Sequence, residues 1–461
     1  MLLLITLALA RPDDGNGMWQ YDGTDDVTSL DSANGRVRVW YSRSGSNEVK
    51  AGDEDGNGLP DFAEAVAQRA EEVLIFYEEM GLRPPLSDGN RGGSAAMDAY
   101  LVDFAGQADG NFAAEYCQTV GTAEQCSGYF QMENDFSGYG YSSTDAAITT
   151  LTSHELFHAV QAAYDSNEES WWSEGTATWG ERAFDEENDD FIWLCDAYLA
   201  DPERSLDQPP TGISAWSYGT ALWWWFLSNR YGTEIIGELL EATEASDSLT
   251  TEMEVLIAAH GGTLGEDWIT FVHWNLATGR QSGATESYPF ASDLEEPPDI
   301  VSTDAYADEH RYYPLGATYY HYEHPGGHAY FALLEDAPAV SFSLIPVNAD
   351  GDILDASLRW TGTAGIMDLG DLAVGDWYIL ATNATLAEDS TRVLTCFGSE
   401  ETVATCLPVD TGDSAPADTG PSKEPEACGC SNAESASAGG AVLLAVMLMI
   451  RHRAEKTRKK P

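Results

Sequence analysis

Positive charge is scarce in this chain. Only 22 Lys and Arg stand against 77 Asp and Glu over 461 residues, a formal charge of −55. A surface so acidic repels phosphate backbones and anionic headgroups, which argues against nucleic acid or an anionic membrane face as a partner. The acid suits solubility in a saline setting, or calcium sites, or both. Cysteine is also sparse, at seven residues, while 43% hydrophobic and 11% aromatic content supply the material of a large core. No apolar run approaches the roughly 20 residues of an ordinary membrane span. The length suggests two or three domains.

Histidine is rare as well, at nine residues, yet two of them fall in Ser153-His154-Glu155-Leu156-Phe157-His158. Four residues apart on a helix, His154 and His158 lie one turn above each other on one face. Two imidazoles so spaced can reach one Zn²⁺, with the intervening Glu155 beside it as a general base. Glu174, in Trp171-Trp172-Ser173-Glu174-Gly175-Thr176-Ala177-Thr178, offers a third ligand from a second segment. Three ligands leave one tetrahedral position open, as in a catalytic zinc site. The pattern also fits two histidines on a surface helix, but its flanks speak against that. Ser142-Ser143-Thr144-Asp145 is a helix-start cluster, and Ala146 to Tyr164 contains neither Gly nor Pro. Ile148, Leu156, Ala159 and Ala163 form a candidate buried stripe. The small residues after Glu174 would let another helix approach closely.

A second constellation is Asp53-Glu54-Asp55-Gly56-Asn57-Gly58-Leu59-Pro60-Asp61-Phe62-Ala63-Glu64, which satisfies the calcium-loop pattern D-x-D-x-N-G-x5-E. Asp53, Asp55 and Asn57 would supply side-chain oxygens, Leu59 its carbonyl, Asp61 a contact through water and Glu64 both carboxylate oxygens. Strand-like Val37 to Tyr41 precedes it, so a loop-helix half-motif is expected, with the helix from Phe62 to Met80. Ca²⁺ there would pin the helix; the alternative is an acidic turn that caps it.

Further on, Met97 to Phe104 and Gly128 to Met132 read as strands flanking a loop closed by Cys117 and Cys126. An edge strand before the histidine helix would suit an extended substrate. Cys195, near Phe191 to Leu194, reads as a buried thiol. Trp216 to Arg230 and Thr233 to Ala242 read as buried helices, and His273 as a core histidine. From Tyr312 short alternating runs such as Tyr319 to Tyr322, Ala339 to Leu344 and Trp377 to Leu380 suggest about seven strands of a β-sandwich, with a Cys396/Cys406 pair. Alternation puts His321 and Glu323 on one face and His324 on the other, so no metal site is expected there.

The ends carry their own signals. Met1 to Ala10 is apolar and closes on Ala8-Leu9-Ala10, the small-x-small pattern of a signal peptide. Pro408 to Glu426 reads as a flexible stalk. Cys428-Gly429-Cys430, the apolar Gly439 to Ile450 and the basic Arg451 to Pro461 follow in the order of a stop-transfer element. The expected division is 1–10 signal peptide, 11–50 N-terminal segment, 51–290 metal-bearing domain, 300–408 β-sandwich, 409–427 stalk and 428–461 anchor tail.

HELFHAVQAAYD followed by WWSEGTATWGER resembles the gluzincin group of zinc metallopeptidases, and more closely a secreted metalloprotease family of myxobacteria. The likeness covers about residues 36 to 280, including the loop at Asp53 to Asp61 and FVHWNLATG (Phe271 to Gly279). The tail is similar to MYXO-CTERM sorting signals, which implies export and a bacterial envelope as partner. The resemblance implies an α+β zincin-like catalytic domain, with a mixed sheet and zinc-bearing helices, before the all-β sandwich. It implies His154, His158 and Glu174 as zinc ligands and Glu155 as catalytic base of an endopeptidase acting on protein or peptide substrates. Thr178 stands where some relatives carry an Asp that orients a ligand histidine. Glu181, seven residues beyond Glu174, is either a supporting group on the same helical face or a surface charge. Tyr218 is the candidate donor to a developing oxyanion, or else a core tyrosine. A reading of a different class is a calcium-stiffened surface adhesin that keeps a zinc fold without catalysis; Glu155 favours the enzyme.

Overall fold

A computed structural model describes residues 11–406, apart from 16, 213, 247, 303–305 and 387–389. The leader, the stalk and the tail with Cys428 and Cys430 lie outside the described residues. Among the described residues no helix is long and apolar enough to cross a membrane.

The chain is mixed α/β. Its first sheet has the order β1 (Val27–Asp31), β2 (Val37–Ser42), β3 (Met97–Val102), β5 (Ala123–Glu133), β4 (Gly110–Val120). β2, β3 and β5 run parallel, while β1 and β4 pair antiparallel at the two edges. β3 is buried along its whole length, as a central strand covered on both faces must be. One face is covered by α1 (Asp61–Glu79) and α2 (Thr144–Gln161). In α1 the buried Phe62, Ala63, Val66, Ala67, Ala70, Val73, Leu74 and Tyr77 recur at helical spacing. The opposite face is closed by Trp19 and Tyr21 of the N-terminal segment against Tyr100, Phe104 and Tyr129. The expected strand pair around a cysteine loop is instead a long hairpin, with Cys117 and Cys126 facing each other across β4 and β5 and bonded.

α2 starts where Ser143 accepts a hydrogen bond from the Ala146 N–H at 3.0 Å. It is buried nearly all round, not along the expected stripe. Its polar residues meet this burial locally: Ser153 Oγ donates to the Thr149 carbonyl at 2.7 Å. Seven more helices follow: α3 (Ser170–Phe184), α4 (Asp189–Leu199), α5 (Ala215–Gly219), α6 (Ala221–Tyr231), α7 (Glu234–Thr243), α8 (Leu249–Ala259) and α9 (Leu264–Leu276). The single helix expected over Trp216 to Arg230 is two, parted at Thr220. The Thr220 hydroxyl donates to the Trp171 carbonyl of α3 at 2.6 Å. Cys195 on α4 is a buried free thiol, and His273 on α9 is a bonded core residue, 3.0 Å from the Leu354 carbonyl.

The C-terminal region holds nine described strands rather than seven: β6 (Ile300–Ser302), β7 (Tyr306–Tyr312), β8 (Ala317–His324), β9 (Gly327–Leu333), β10 (Ala337–Pro346), β11 (Leu358–Gly362), β12 (Gly365–Leu372), β13 (Gly375–Asn383) and β14 (Thr391–Gly398). They form a five-stranded sheet, β11-β10-β13-β8-β6, and a four-stranded sheet, β12-β9-β14-β7, antiparallel except for short β6. Residues of both sheets, among them Tyr322, Phe331, Phe342 and Phe397, bury one apolar core. A last helix, α10 (Glu400–Cys406), is tied back to β14 by the Cys396–Cys406 disulfide. The sandwich is fused to the helical region. Tyr319 and Tyr378 belong to the same core as Phe271 and Trp274, and Tyr319 donates to the Val272 carbonyl at 2.9 Å.

Candidate metal centre

Two glycines bring the helices of the site together. A Cβ on Gly175 would collide with Thr220 Oγ1 and lie 2.7 Å from Trp224 Nε1. A Cβ on Gly180 would lie 2.8 Å from Phe157 Cδ2. α3 therefore packs tightly against α2 on one side and α6 on the other, and Glu174 is carried to the histidine pair.

His154 Nε2 and His158 Nε2 are 3.1 Å apart, and Glu174 Oε2 lies 3.2 Å from the first and 3.4 Å from the second. Among the described residues this is the one trio of His, Cys, Asp or Glu whose ligand atoms come within 4.8 Å of one another. The far side of each ring is held. His154 Nδ1 donates to Glu181 Oε1 at 2.7 Å, with both side chains buried. His158 Nδ1 donates to Gln161 Oε1 at 2.7 Å, and the Gln161 amide is fixed in turn by donating to the Ser173 carbonyl at 2.8 Å and Thr176 Oγ1 at 2.7 Å. Both Nε2 lone pairs are thereby directed inward, as metal-ligating histidines require.

The electrostatics agree with a site built for positive charge. Burial alone would lower the His154 pKa, yet hydrogen bonds to the Glu174 and Glu181 carboxylates hold it well above the ordinary value. Burial would raise Glu174, but the His158 charge and the hydrogen bonds of both imidazoles keep it below the usual carboxylate range. Glu155 is pushed up to about 7, by burial first and by Glu174 and Asp109 next, against the pull of both histidines. Its Oε2 is buried without a hydrogen-bond partner. The Tyr218 ring stacks on His154, with centroids 5.5 Å apart. Its hydroxyl is driven well above the ordinary phenol pKa by burial and then by Glu174 and Glu155, and has no aligned partner. The unpartnered buried oxygen of Glu155, beside three convergent donors, is what a metal-bound polar ligand would satisfy. The donor set of two imidazoles and one carboxylate suits zinc.

The edge strand beside this group is β4, not β5, which directly precedes α2 in sequence. A Cβ on Gly110, the first residue of β4, would lie 2.9 Å from Glu155 Oε1 and 2.5 Å from Leu151 Cδ1. The missing side chain lets backbone run alongside Glu155.

Glu181 thus orients His154, whereas Thr178, the position to which the resemblance pointed, is fully buried with its hydroxyl unpaired and bonds neither imidazole. Gln161 was missed, although its place three residues after His158 on the same helix was a usable signal. Asp109, bonded to Tyr141 at 2.7 Å, was missed for want of any local pattern. The loop is exposed from Asp53 to Gly58 and then runs into α1, where Phe62 and Ala63 are buried. Asp53 accepts from the Asn57 and Gly58 N–H groups at 2.9 and 3.0 Å, Asn57 Oδ1 accepts from Leu59 N–H, and Asn57 Nδ2 donates to Glu64 at 2.8 Å. Asp55 also accepts from Asn57 N–H, and Asp61, at the start of α1, accepts from Glu54 N–H. Gly58 takes a left-handed turn at φ 86°. These carboxylates do not converge as the histidine group does. His321 and Glu323 face outward and His324 inward, as alternation required.

Fold and site together define a mixed α/β protein with a buried His-His-Glu group able to hold a metal ion. No protein-family model matches the chain, and no curated protein matches it either.

Proposed function

We propose that the protein is a zinc-dependent endopeptidase of the gluzincin type, exported and held at or released from a bacterial envelope. One observation carries the reading: Glu155 presents an unpartnered buried oxygen beside the His154, His158 and Glu174 donors, next to the open edge of β4. His154, His158 and Glu174 would hold the metal. Zinc, when bound, supplies Lewis acidity, polarising a carbonyl and lowering the pKa of water to about 7.

The chain's own residues do the rest. The unpaired backbone groups of β4 offer hydrogen bonds to an extended peptide, which positions a scissile bond near Glu155. Glu155, poised near neutrality by burial, accepts a proton from the attacking water and returns it to the leaving amine. Tyr218, raised far above its ordinary pKa, stays protonated and can donate to the developing oxyanion. Glu181 and Gln161 hold the imidazoles in one tautomer and orientation.

Two disulfides suit the oxidising exterior that an exported enzyme meets. For the loop at Asp53 to Glu64 the proposal is a structural Ca²⁺ that stiffens the entry to α1. Casein or gelatin digestion by the purified, zinc-loaded chain tests the function. Hydrolysis abolished by o-phenanthroline and by Glu155→Gln supports the peptidase. A folded, zinc-loaded protein that cleaves no peptide supports a surface adhesin instead.

A further inference from the structure

Arg11 occupies a second built site, on the face of the first sheet opposite α2. Its guanidinium is only 3% exposed. Nε donates to Glu115 Oε1 at 2.8 Å, Nη2 to Glu115 Oε2 at 2.6 Å and to Asp88, and Nη1 to Asp98 at 2.5 Å and Tyr100 Oη at 3.3 Å. The three carboxylates are buried almost completely and come from three segments: the loop before β3, β3 itself and β4. Tyr129 contributes its ring face, 5.5 Å from the guanidinium carbon.

Two features set this apart from an ordinary ion pair. Glu115 is the extra residue of a bulge in β4, since Ala114 pairs with Gly128 and Tyr116 with Ser127. A bulge re-aims a side chain, and here it turns a residue of the edge strand onto Arg11. The second feature is charge. Asp88, Asp98 and Glu115 surround Arg11, Asp13 and Asp14 follow it in the chain, and Arg91 adds one more cation, 3.4 Å from Glu115 and 3.9 Å from Asp14. Arg38 of β2 also acts on Asp98 and is itself paired with Asp31, so six acids and three cations leave a local excess of three negative charges. Removal of a leader after Ala10 would create a new ammonium on the backbone nitrogen of Arg11, joined to the buried guanidinium by one arginine side chain.

We propose that the Asp88–Asp98–Glu115 pocket is a receptor for the N-terminal arginine that leader removal exposes, a latch that tightens on processing and steadies the edge strand β4. This rests on the leader being cut after Ala10 and, for its link to activity, on the peptidase reading. The latch itself is measured without activity. The groups facing it are Asp13 and Asp14 on its own segment, Arg38 and Trp40 on β2 through Asp98, Asp88 and Arg91 from the loop, Asp98 and Tyr100 on β3, Glu115 on β4 and Tyr129 on β5. The carboxylates would raise the pKa of the folded chain's ammonium above the usual 7.7–8.0 or so. Its stabilisation is therefore full below about pH 7.7 and is lost as pH rises through the folded value.

The test compares the chain beginning at Arg11 with the same chain carrying Gly-Ser before it. Near pH 7 the extended form should melt about 2 °C lower and exchange amide hydrogens faster over Gly110–Glu115. At about pH 10, where an ordinary α-ammonium is neutral, the difference should shrink. Arg11→Gln should lower both forms alike, and Arg11→Lys, which keeps charge but not the fork, should fall between. Equal melting and exchange of the two forms near pH 7, or a difference that persists unchanged at high pH, overturns the latch. Loss of casein hydrolysis in both forms with the melting difference intact would count against the peptidase reading alone.

Discussion

Glu181 offers the sharpest test of the metal centre. Its carboxylate is 2.7 Å from His154 Nδ1, and the two side chains are 2% and 3% exposed, so no solvent can replace it. Removing such a partner from a ligating histidine costs about 10–100-fold in metal affinity, or roughly 1.4–2.7 kcal/mol. Complete burial puts Glu181→Ala near the upper end, because the ring loses both its orientation and the charge that makes Nε2 basic. Glu181→Gln keeps an acceptor but not the charge, and should lose about tenfold. The same carboxylate raises the affinity of His154 for protons, so the loss should grow as pH rises and protons cease to compete. Competitive titration of zinc against a chromophoric chelator at two pH values gives the numbers, and a circular dichroism melt checks the fold. Thr178→Ala is the control, expected to bind zinc normally. Unchanged zinc affinity in folded Glu181→Ala, or an equal loss in Thr178→Ala, would refute the reasoning.

Other outcomes follow from the packing and the charges. Gly175→Ala drives a methyl into Thr220 and Trp224 and should cost about 1–3 kcal/mol in denaturant unfolding; a neutral result would mean that α3 and α6 can separate freely. Glu133 is pushed up to about 7, chiefly by burial. The unfolded carboxyl ionises first, so stability should fall between about pH 4.5 and 7, by roughly 1–2 kcal/mol after allowance for solvent screening. Glu133→Gln keeps an acceptor for Tyr139 and the Phe104 N–H and should flatten that slope; an unaltered pH profile would show that Glu133 ionises freely. Asp53→Ala should lower the melting temperature in Ca²⁺ and leave it unchanged in EGTA, and an equal loss in both buffers would argue for an acidic cap.

Local spacing made much of this protein readable. His154 and His158 four apart, Ser143 ahead of a run without Gly or Pro, and the acidic turn from Asp53 that leads into α1 are patterns set by the 3.6-residue helical turn and by capping chemistry, which need no distant partner. Alternation likewise separated His321 and Glu323 from His324 and forecast the two-sheet C-terminal region. Other choices belong to the tertiary structure alone. Whether Glu181 or Thr178 supports His154, whether Tyr218 faces the site, and which strand forms the open edge depend on how α3, α6 and β4 are brought against α2. Contacts without space for a Cβ at Gly175, Gly180 and Gly110 fix that approach. Arg11 is the extreme case: its partners lie 77 to 104 residues away, and only the closed sheet brings three carboxylates around one guanidinium.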